Sequence, residues 1–286
     1  MQEIAPLVYI ETGYAGVTLG AINWPHGLIL LDAPFRQEDT RSWRSALLNL
    51  GAGVDRLLVN MDGHFDRTLG SRAMECTVAG HEKLAQAFRN RPVTFKTQAT
   101  ETGAEWEQYN GLGSIRWAPP EITFTERLNI YWNNDSLVLE SRPGPGIGSI
   151  WAILPGCQVC FVGDTVVADQ PPFLAGADLP AWCNALQVLL TPEYQNYLLV
   201  SGRGGLVTRD HVRAQLNFLD KVTVQLEALA AKNAPAEETL GVAHELIQVF
   251  EGKPGLNSQY TQRLQWGLRQ VYLRHYRQMS GEELEE

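Results

Sequence analysis

Two carboxylates and one imidazole alternate along a short polar segment: Asp62, His64 and Asp66. The segment follows an apolar run at 57–60 that predicts a strand, and alternate residues of an extended chain share a face. Such a group could bind a metal through nitrogen and oxygen, or could transfer protons in acid–base catalysis. A polar loop that caps the next helix, with Asp66 accepting backbone hydrogen bonds, is an equally simple interpretation.

Other charged residues also follow predicted strands. Asp164 ends one apolar run, and Arg203 lies in a glycine-rich turn after another. A second glycine-rich turn, Pro-Gly-Pro-Gly-Ile-Gly-Ser, occupies 143–149, and Asp32 closes an N-terminal run of leucines.

Taken in order, these segments resemble the metallo-β-lactamase superfamily. That family has a strand ending in LLIDxG, then HxHxDH, a PGHTPGS-like turn, FxGD and a GHG-like turn. The matching segments here are 30–34, 62–67, 143–149, 161–164 and 202–204. The resemblance runs from about residue 6 to about residue 220 and implies a four-layered αββα sandwich. An intact family member would be a hydrolase with a binuclear zinc centre.

The family's metal ligands, five histidines and two aspartates, are only partly retained. Carried over position by position, the ligand positions hold Asp62, His64, Asp66, Arg67, Pro145, Asp164 and Arg203. Proline has no side-chain donor atom, and arginine is not deprotonated in proteins, so neither can ligate a cation. The usual binuclear centre is therefore predicted to be absent.

Charge favours an ion-pair cluster in its place. The resemblance puts Arg67 and Arg203 at the second metal position, beside Asp66 and Asp164, and guanidinium groups bind carboxylates in bidentate fashion. With Asp62, the three aspartates carry -3 and the two arginines +2, so the cluster is nearly neutral without metal. We expect a protein without a cofactor and without the usual hydrolase activity, which acts by ligand binding or assembly.

The alternative keeps one metal ion. Asp62, His64 and Asp164 could hold a single divalent ion such as manganese, iron, magnesium or zinc, with Asp66 as a base in hydrolysis. The two arginines would then bind an anionic substrate or stabilise an oxyanion. In the family, the aspartate matching Asp32 supports the metal-binding loop, and we expect the same supporting role here.

Strands alternate with helices through the first two thirds of the chain. We predict one αββα domain at 1–206, with the polar, aperiodic stretch 92–118 as an insertion. In 207–286 apolar residues recur at helical spacing and predict three amphipathic helices. These helices would pack on the domain or extend from it, and they could form a homo-oligomer contact.

Composition limits the partners. The chain has 286 residues and a net charge of -9, so its field would repel nucleic acid and anionic lipid, and a small molecule is the expected ligand. No apolar run approaches the roughly 20 residues of a membrane helix. The N-terminus lacks a signal-peptide pattern, and four irregularly spaced cysteines suit a reducing compartment. We therefore expect a cytoplasmic protein.

Overall fold

Two β-sheets form the centre of the fold in a computed structural model that describes residues 1–51, 53–95, 102–250 and 258–276. The strands are β1 (Gln2–Ala5), β2 (Val8–Glu11), β3 (Leu19–Asn23), β4 (Gly27–Leu31), β5 (Asp55–Val59), β6 (Thr77–His81), β7 (Ile122–Phe124), β8 (Arg127–Ile130), β9 (Leu137–Ser141), β10 (Ile150–Leu154), β11 (Val159–Gly163), β12 (Leu198–Ser201) and β13 (Gly205–Val207). The helices are α1 (Gln37–Leu48), α2 (Phe65–Thr68), α3 (Glu82–Arg89), α4 (Leu179–Leu189), α5 (Arg209–Ala231), α6 (Thr239–Ile247) and α7 (Ser258–Tyr276).

The first sheet contains β1 to β7 in chain order. Strands β1 to β4 are antiparallel, whereas β4, β5, β6 and β7 run parallel to one another. Strand β4, Gly-Leu-Ile-Leu-Leu, is buried at every position, which is the pattern of a strand covered on both faces. Because β4, β5, β6 and β7 run parallel, their carboxyl ends all lie at one edge of the sheet.

The second sheet has the order β13-β12-β11-β10-β9-β8. Strands β11 and β12 are parallel, and the remaining neighbours are antiparallel. Strand β11 is likewise buried throughout. Because β11 and β12 are parallel neighbours, their carboxyl ends lie side by side.

Apolar layers join the sheets and helices. Ile29 of the first sheet and Phe161 of the second belong to one core cluster between the sheets. Trp43 of α1 covers the outer face of the first sheet, and Trp182 of α4 covers the outer face of the second. The order helix, sheet, sheet, helix is the predicted αββα sandwich.

The C-terminal helices share a core with the second sheet. Val212 of α5, Leu246 of α6 and Leu264 of α7 are buried in the same cluster as Trp151 of β10. Residues 251–257 and 277–286, part of the predicted helical region, lie outside the described residues. In the parts of the chain that are described, no helix is both long and apolar enough to cross a membrane.

The predicted insertion 92–118 overlaps residues 96–101, which also lie outside the described residues. Its described part packs closely on the domain. Phe95, Trp106 and Trp117 surround the ring of Phe65 at centroid distances of 5.2, 5.6 and 5.3 Å. This aromatic packing fixes the stretch against α2, directly beside the candidate site.

Candidate functional site

Strand ends bring the charged residues together. Asp32 follows β4 and Asp62 lies three residues beyond β5, whereas Asp164 follows β11 and Arg203 lies just beyond β12. The carboxyl ends of parallel strands from both sheets meet at one edge of the sandwich. Asp32, Asp62, Asp66, Arg67, Asp164 and Arg203 are all buried there, and we call these six residues the ion-pair cluster.

Asp164 has a guanidinium partner on each carboxylate oxygen. Nη2 of Arg67 donates to Oδ1, and Nε of Arg203 donates to Oδ2 over 3.0 Å. Burial alone would raise the pKa of Asp164, but the charges of Arg203 and Arg67 outweigh it and hold this pKa well below its usual range. Asp164 is therefore a carboxylate anion at neutral pH.

Arg203 links two acids of the cluster. Its Nη1 donates to Oδ2 of Asp66 over 3.0 Å and to the carbonyl of Gly16 over 2.8 Å. Asp66 also accepts a hydrogen bond of 2.9 Å on Oδ1 from the backbone N–H of Trp106. Burial lowers the pKa of Arg203. The negative charges of Asp164 and Asp66 raise this pKa by more than burial lowers it, so the guanidinium stays charged.

Arg67 lies between Asp32, Asp62 and Asp164. Its Nη1 lies 3.2 Å from Oδ2 of Asp62 and 3.5 Å from Oδ2 of Asp32. Arg67 was predicted to lie beside Asp66 and Asp164; it binds Asp164, but its other terminal nitrogen points toward Asp62 and Asp32, and Asp66 is bound by Arg203 instead. A Cβ atom on Gly202 would lie 2.6 Å from Nη1 of Arg67, so the missing side chain leaves room for the guanidinium.

Asp32 differs from the other acids in its ionisation. It is fully buried, and its Oδ1 accepts a hydrogen bond of 2.9 Å from the backbone N–H of Met61. Burial raises the pKa of Asp32 to about 8; Arg67 opposes the rise, and Asp62 and Asp164 add to it. With Asp32 protonated, Asp62 and Asp164 remain as carboxylates beside the two guanidinium groups at neutral pH.

His64 lies at the edge of the cluster, and its side chain is 20% exposed. Its Nδ1 is 3.2 Å from Oδ1 of Asp62 and 3.6 Å from Oδ2 of Asp164. Ligand atoms of these three residues lie within 4.8 Å of one another, which is close enough to hold one metal ion. Asp66, predicted to converge with Asp62 and His64, is not in this group of ligand atoms, because the chain turns into α2 after His64.

The glycine-rich turn 143–149 packs against this histidine. The N–H of Gly63 donates to the carbonyl of Ile147 over 3.1 Å. A Cβ atom on Gly146 would lie 3.4 Å from Cε1 of His64. Pro145 is buried in the same turn and offers no ligand atom.

Two further residues, Phe173 and Arg263, complete the surroundings, and sequence reasoning missed the arginine. The ring of Phe173 lies 4.9 Å from the His64 ring, and Cζ atoms of Arg203 and Arg263 lie 4.6 and 4.0 Å from its centroid. Arg263, from α7, also donates to the carbonyls of Gly103 and Pro171 over 3.0 Å. The amphipathic pattern of α7 predicted the helix that carries Arg263, but it did not indicate any partner for a buried arginine there.

His81 and the two cysteines of the Cys157-Gln-Val-Cys160 segment have structural roles. His81 caps α3, with the N–H of Lys83 3.0 Å from its Nδ1. Cys160 is buried in the core and Cys157 is half-buried, and burial raises the pKa of both thiols. Neither pattern indicates a metal site or a reactive thiol.

Neither a family model nor a curated protein matches the sequence. A metallo-β-lactamase from Pontibacter korlensis superposes with a TM-score of 0.61 and 19% identity, over 77% of this chain and 97% of that chain. A metallo-β-lactamase family protein from Thermus thermophilus gives 0.64 and 17%, over 95% and 94%. A stereoselective inverting sec-alkylsulfatase from Pseudomonas sp. gives 0.66 and 16%, over 98% of this chain and 51% of that chain.

The stacked sheets, the outer helices and these similarities define a protein of the metallo-β-lactamase fold. The predicted αββα sandwich of this type is confirmed. The charged residues at its strand ends, by contrast, include two buried guanidinium groups bound to the acids.

Proposed function

We propose that buried ion pairs take the place of a binuclear metal centre in this protein, and that it acts by binding a small molecule. The double engagement of Asp164 carries the proposal. One oxygen of this carboxylate accepts a hydrogen bond from Arg67 and the other from Arg203. Two metal ions would have to displace both guanidinium groups to use the same oxygens.

The remaining acids support the same conclusion. Asp66 is bound by Arg203 at 3.0 Å, and Asp62 lies 3.2 Å from a nitrogen of Arg67. Each guanidinium is paired with carboxylates that a metal would need, and its positive charge repels a divalent cation. These residues therefore do not fit a binuclear zinc centre.

A hydrolase with one divalent metal is the second candidate. It is favoured by the close approach of Asp62, His64 and Asp164, and by the fact that Oδ2 of Asp62 accepts no hydrogen bond within the described residues. A bound ion would supply Lewis-acid activation of a water for hydrolysis. The names of the similar proteins suggest β-lactams and secondary alkyl sulfates as the first substrates to test.

Metal content separates the two candidates. Untagged protein, purified without chelator, is analysed by elemental mass spectrometry, and its thermal unfolding is followed with and without added manganese and zinc. We expect less than about a tenth of an equivalent of metal and no rise in melting temperature. Near-stoichiometric manganese, iron or zinc would contradict the proposal and favour the hydrolase.

A further inference from the structure

A cavity of about 350 Å³ opens beside the ion-pair cluster. His64 and Asp66 contribute to its wall, so the cavity borders the cluster directly. Its volume lies at the lower end of the usual range for small-molecule sites, roughly 300–1,000 Å³. Much of the remaining wall is aromatic: Phe65, Trp106, Phe173 and Trp266.

Arg91 brings a positive charge to this wall. Its Cζ stacks over the rings of Phe65 and Trp117 at 4.7 and 4.9 Å. Within the described residues no carboxylate pairs with it, and its buried Nη1 has no hydrogen-bond acceptor. Burial lowers the pKa of Arg91 to about 10, so the group is still charged at neutral pH.

The carboxylate in the wall does not offset this charge. Both oxygens of Asp66 are engaged elsewhere, Oδ1 by the N–H of Trp106 at 2.9 Å and Oδ2 by Arg203 at 3.0 Å. The cavity thus combines aromatic walls with a cation that has no anionic partner within the described residues. A partly buried cation without a partner is costly, and an anionic ligand would relieve that cost.

We infer that this cavity binds a small aromatic carboxylate, with the carboxylate paired to Arg91 and the ring held among Phe65, Trp106 and Trp266. The planar guanidinium fork matches a carboxylate, and aromatic side chains prefer offset or edge-on contact with another ring. The inference rests on the proposed function, because it names the ligand that a binding protein with this centre would take.

The last helix is part of this site. Trp266 belongs to α7, which is held over the cavity by hydrogen bonds of 3.0 Å from Arg263 to the carbonyls of Gly103 and Pro171. The sheet sandwich alone would leave the cavity open on this side. Binding is therefore tested on the full chain.

Calorimetric titration with 3-phenylpropionate at pH 7 tests the inference, with uncharged 3-phenylpropanamide as the matched probe. We expect the carboxylate to bind at least about tenfold more tightly than the amide, because a charge-assisted hydrogen bond is worth that factor or more. Arg91→Gln should remove this preference. The exposed Arg89, the last residue of α3 and two positions before Arg91, supplies the control Arg89→Gln, which should bind like the wild type.

Equal binding of the two probes by the wild-type chain would overturn the inference, and so would a folded Arg91→Gln variant that keeps the preference. The probe comparison needs no variant, so it holds even if Arg91→Gln fails to fold. Absence of binding to folded, metal-free protein would refute the ligand class alone. Stoichiometric metal in the same preparation would instead refute the proposed function.

Discussion

Arg203 and Asp164 form a buried ion pair, with Nε of the arginine 3.0 Å from Oδ2 of the aspartate. The two residues follow β12 and β11, so the pair joins the ends of adjacent parallel strands. Both side chains are almost completely shielded from water. Removal of Arg203 would leave buried Asp66 without the guanidinium that binds it, and Asp164 with Arg67 as its remaining partner.

Arg203→Ala should therefore destabilise the fold by about 3–5 kcal/mol, the usual cost of breaking a buried ion pair. Urea unfolding of the variant and the wild type measures the loss. Arg213→Ala is the matched control, because Arg213 pairs with Asp210 at the surface and should change stability by less than about 0.5 kcal/mol. An unchanged melting temperature for Arg203→Ala would contradict the ion-pair interpretation.

Gly202→Ala tests the space that Arg67 needs. The added Cβ would lie 2.6 Å from Nη1 of Arg67 and 2.8 Å from Oδ1 of Asp164, and neither group can move without losing its partner. We expect a loss of about 1–3 kcal/mol, as for other overpacked interiors. Gly241→Ala, where the new atom meets nothing within 4 Å, should be neutral or stabilising. Equal unfolding free energies for both variants would count against the packing at Gly202.

Asp32→Asn should alter the pH dependence of stability. The folded pKa of about 8 lies above the unfolded value, about 3.9, so the folded state binds the extra proton. Its stabilising effect is complete below pH 4 and is lost as pH rises toward 8. Asparagine keeps the size and tolerates the left-handed backbone at φ 59°.

The unfolding free energy of both proteins is measured at pH 5 and pH 8. Between these values the wild type should lose stability relative to Asp32→Asn. Asp62 and Asp164, whose pKa values are lowered, act in the opposite direction only below about pH 4, so they do not disturb this window. If the unfolding free energies of both proteins changed equally between pH 5 and pH 8, Asp32 would be ionised in the folded protein, and the prediction would be wrong.

Histidines restored at four family positions should recover zinc binding. The variant carries Asp62→His, Arg67→His, Pro145→His and Arg203→His, which removes both guanidinium groups and adds four nitrogen ligands. Zinc uptake is measured by elemental analysis after dialysis, with circular dichroism as the control for folding. A folded variant that takes up no zinc would show that the position-by-position match to the family is wrong.

His64→Ala tests the one-metal alternative separately. If the wild type is stabilised by manganese, loss of this ligand should abolish the stabilisation, because two carboxylates alone hold the ion weakly. Melting temperatures with increasing manganese provide the measurement. A variant that responds like the wild type would exclude His64 as a ligand.

Much of the cluster could be predicted because strand ends are visible in the sequence. Asp32, Asp164 and Arg203 each follow a short apolar run, and neighbouring parallel strands bring such positions together. The pairing of Arg203 with Asp66 and Asp164 followed from charge and from the resemblance. Whether any of these residues takes part in a reaction stays a prediction.

Long-range packing could not be predicted. Trp106 lies 40 residues from Asp66 along the chain, yet its N–H binds that carboxylate. Phe173 and Arg263 meet only because α7 folds back over the sandwich. Helix α4 and the first strand, β1, also went unpredicted, since their short apolar patterns carry little periodic signal.

Phe173 makes the centre and the last helix thermodynamically dependent on each other. Its ring is contacted by Arg203 from the cluster and by Arg263 from α7. Anything that tightens the cluster should favour docking of α7, and docking should strengthen the cluster by the same free energy, since linkage is reciprocal. The ring of Phe173 thus joins two parts of the chain that are remote in sequence.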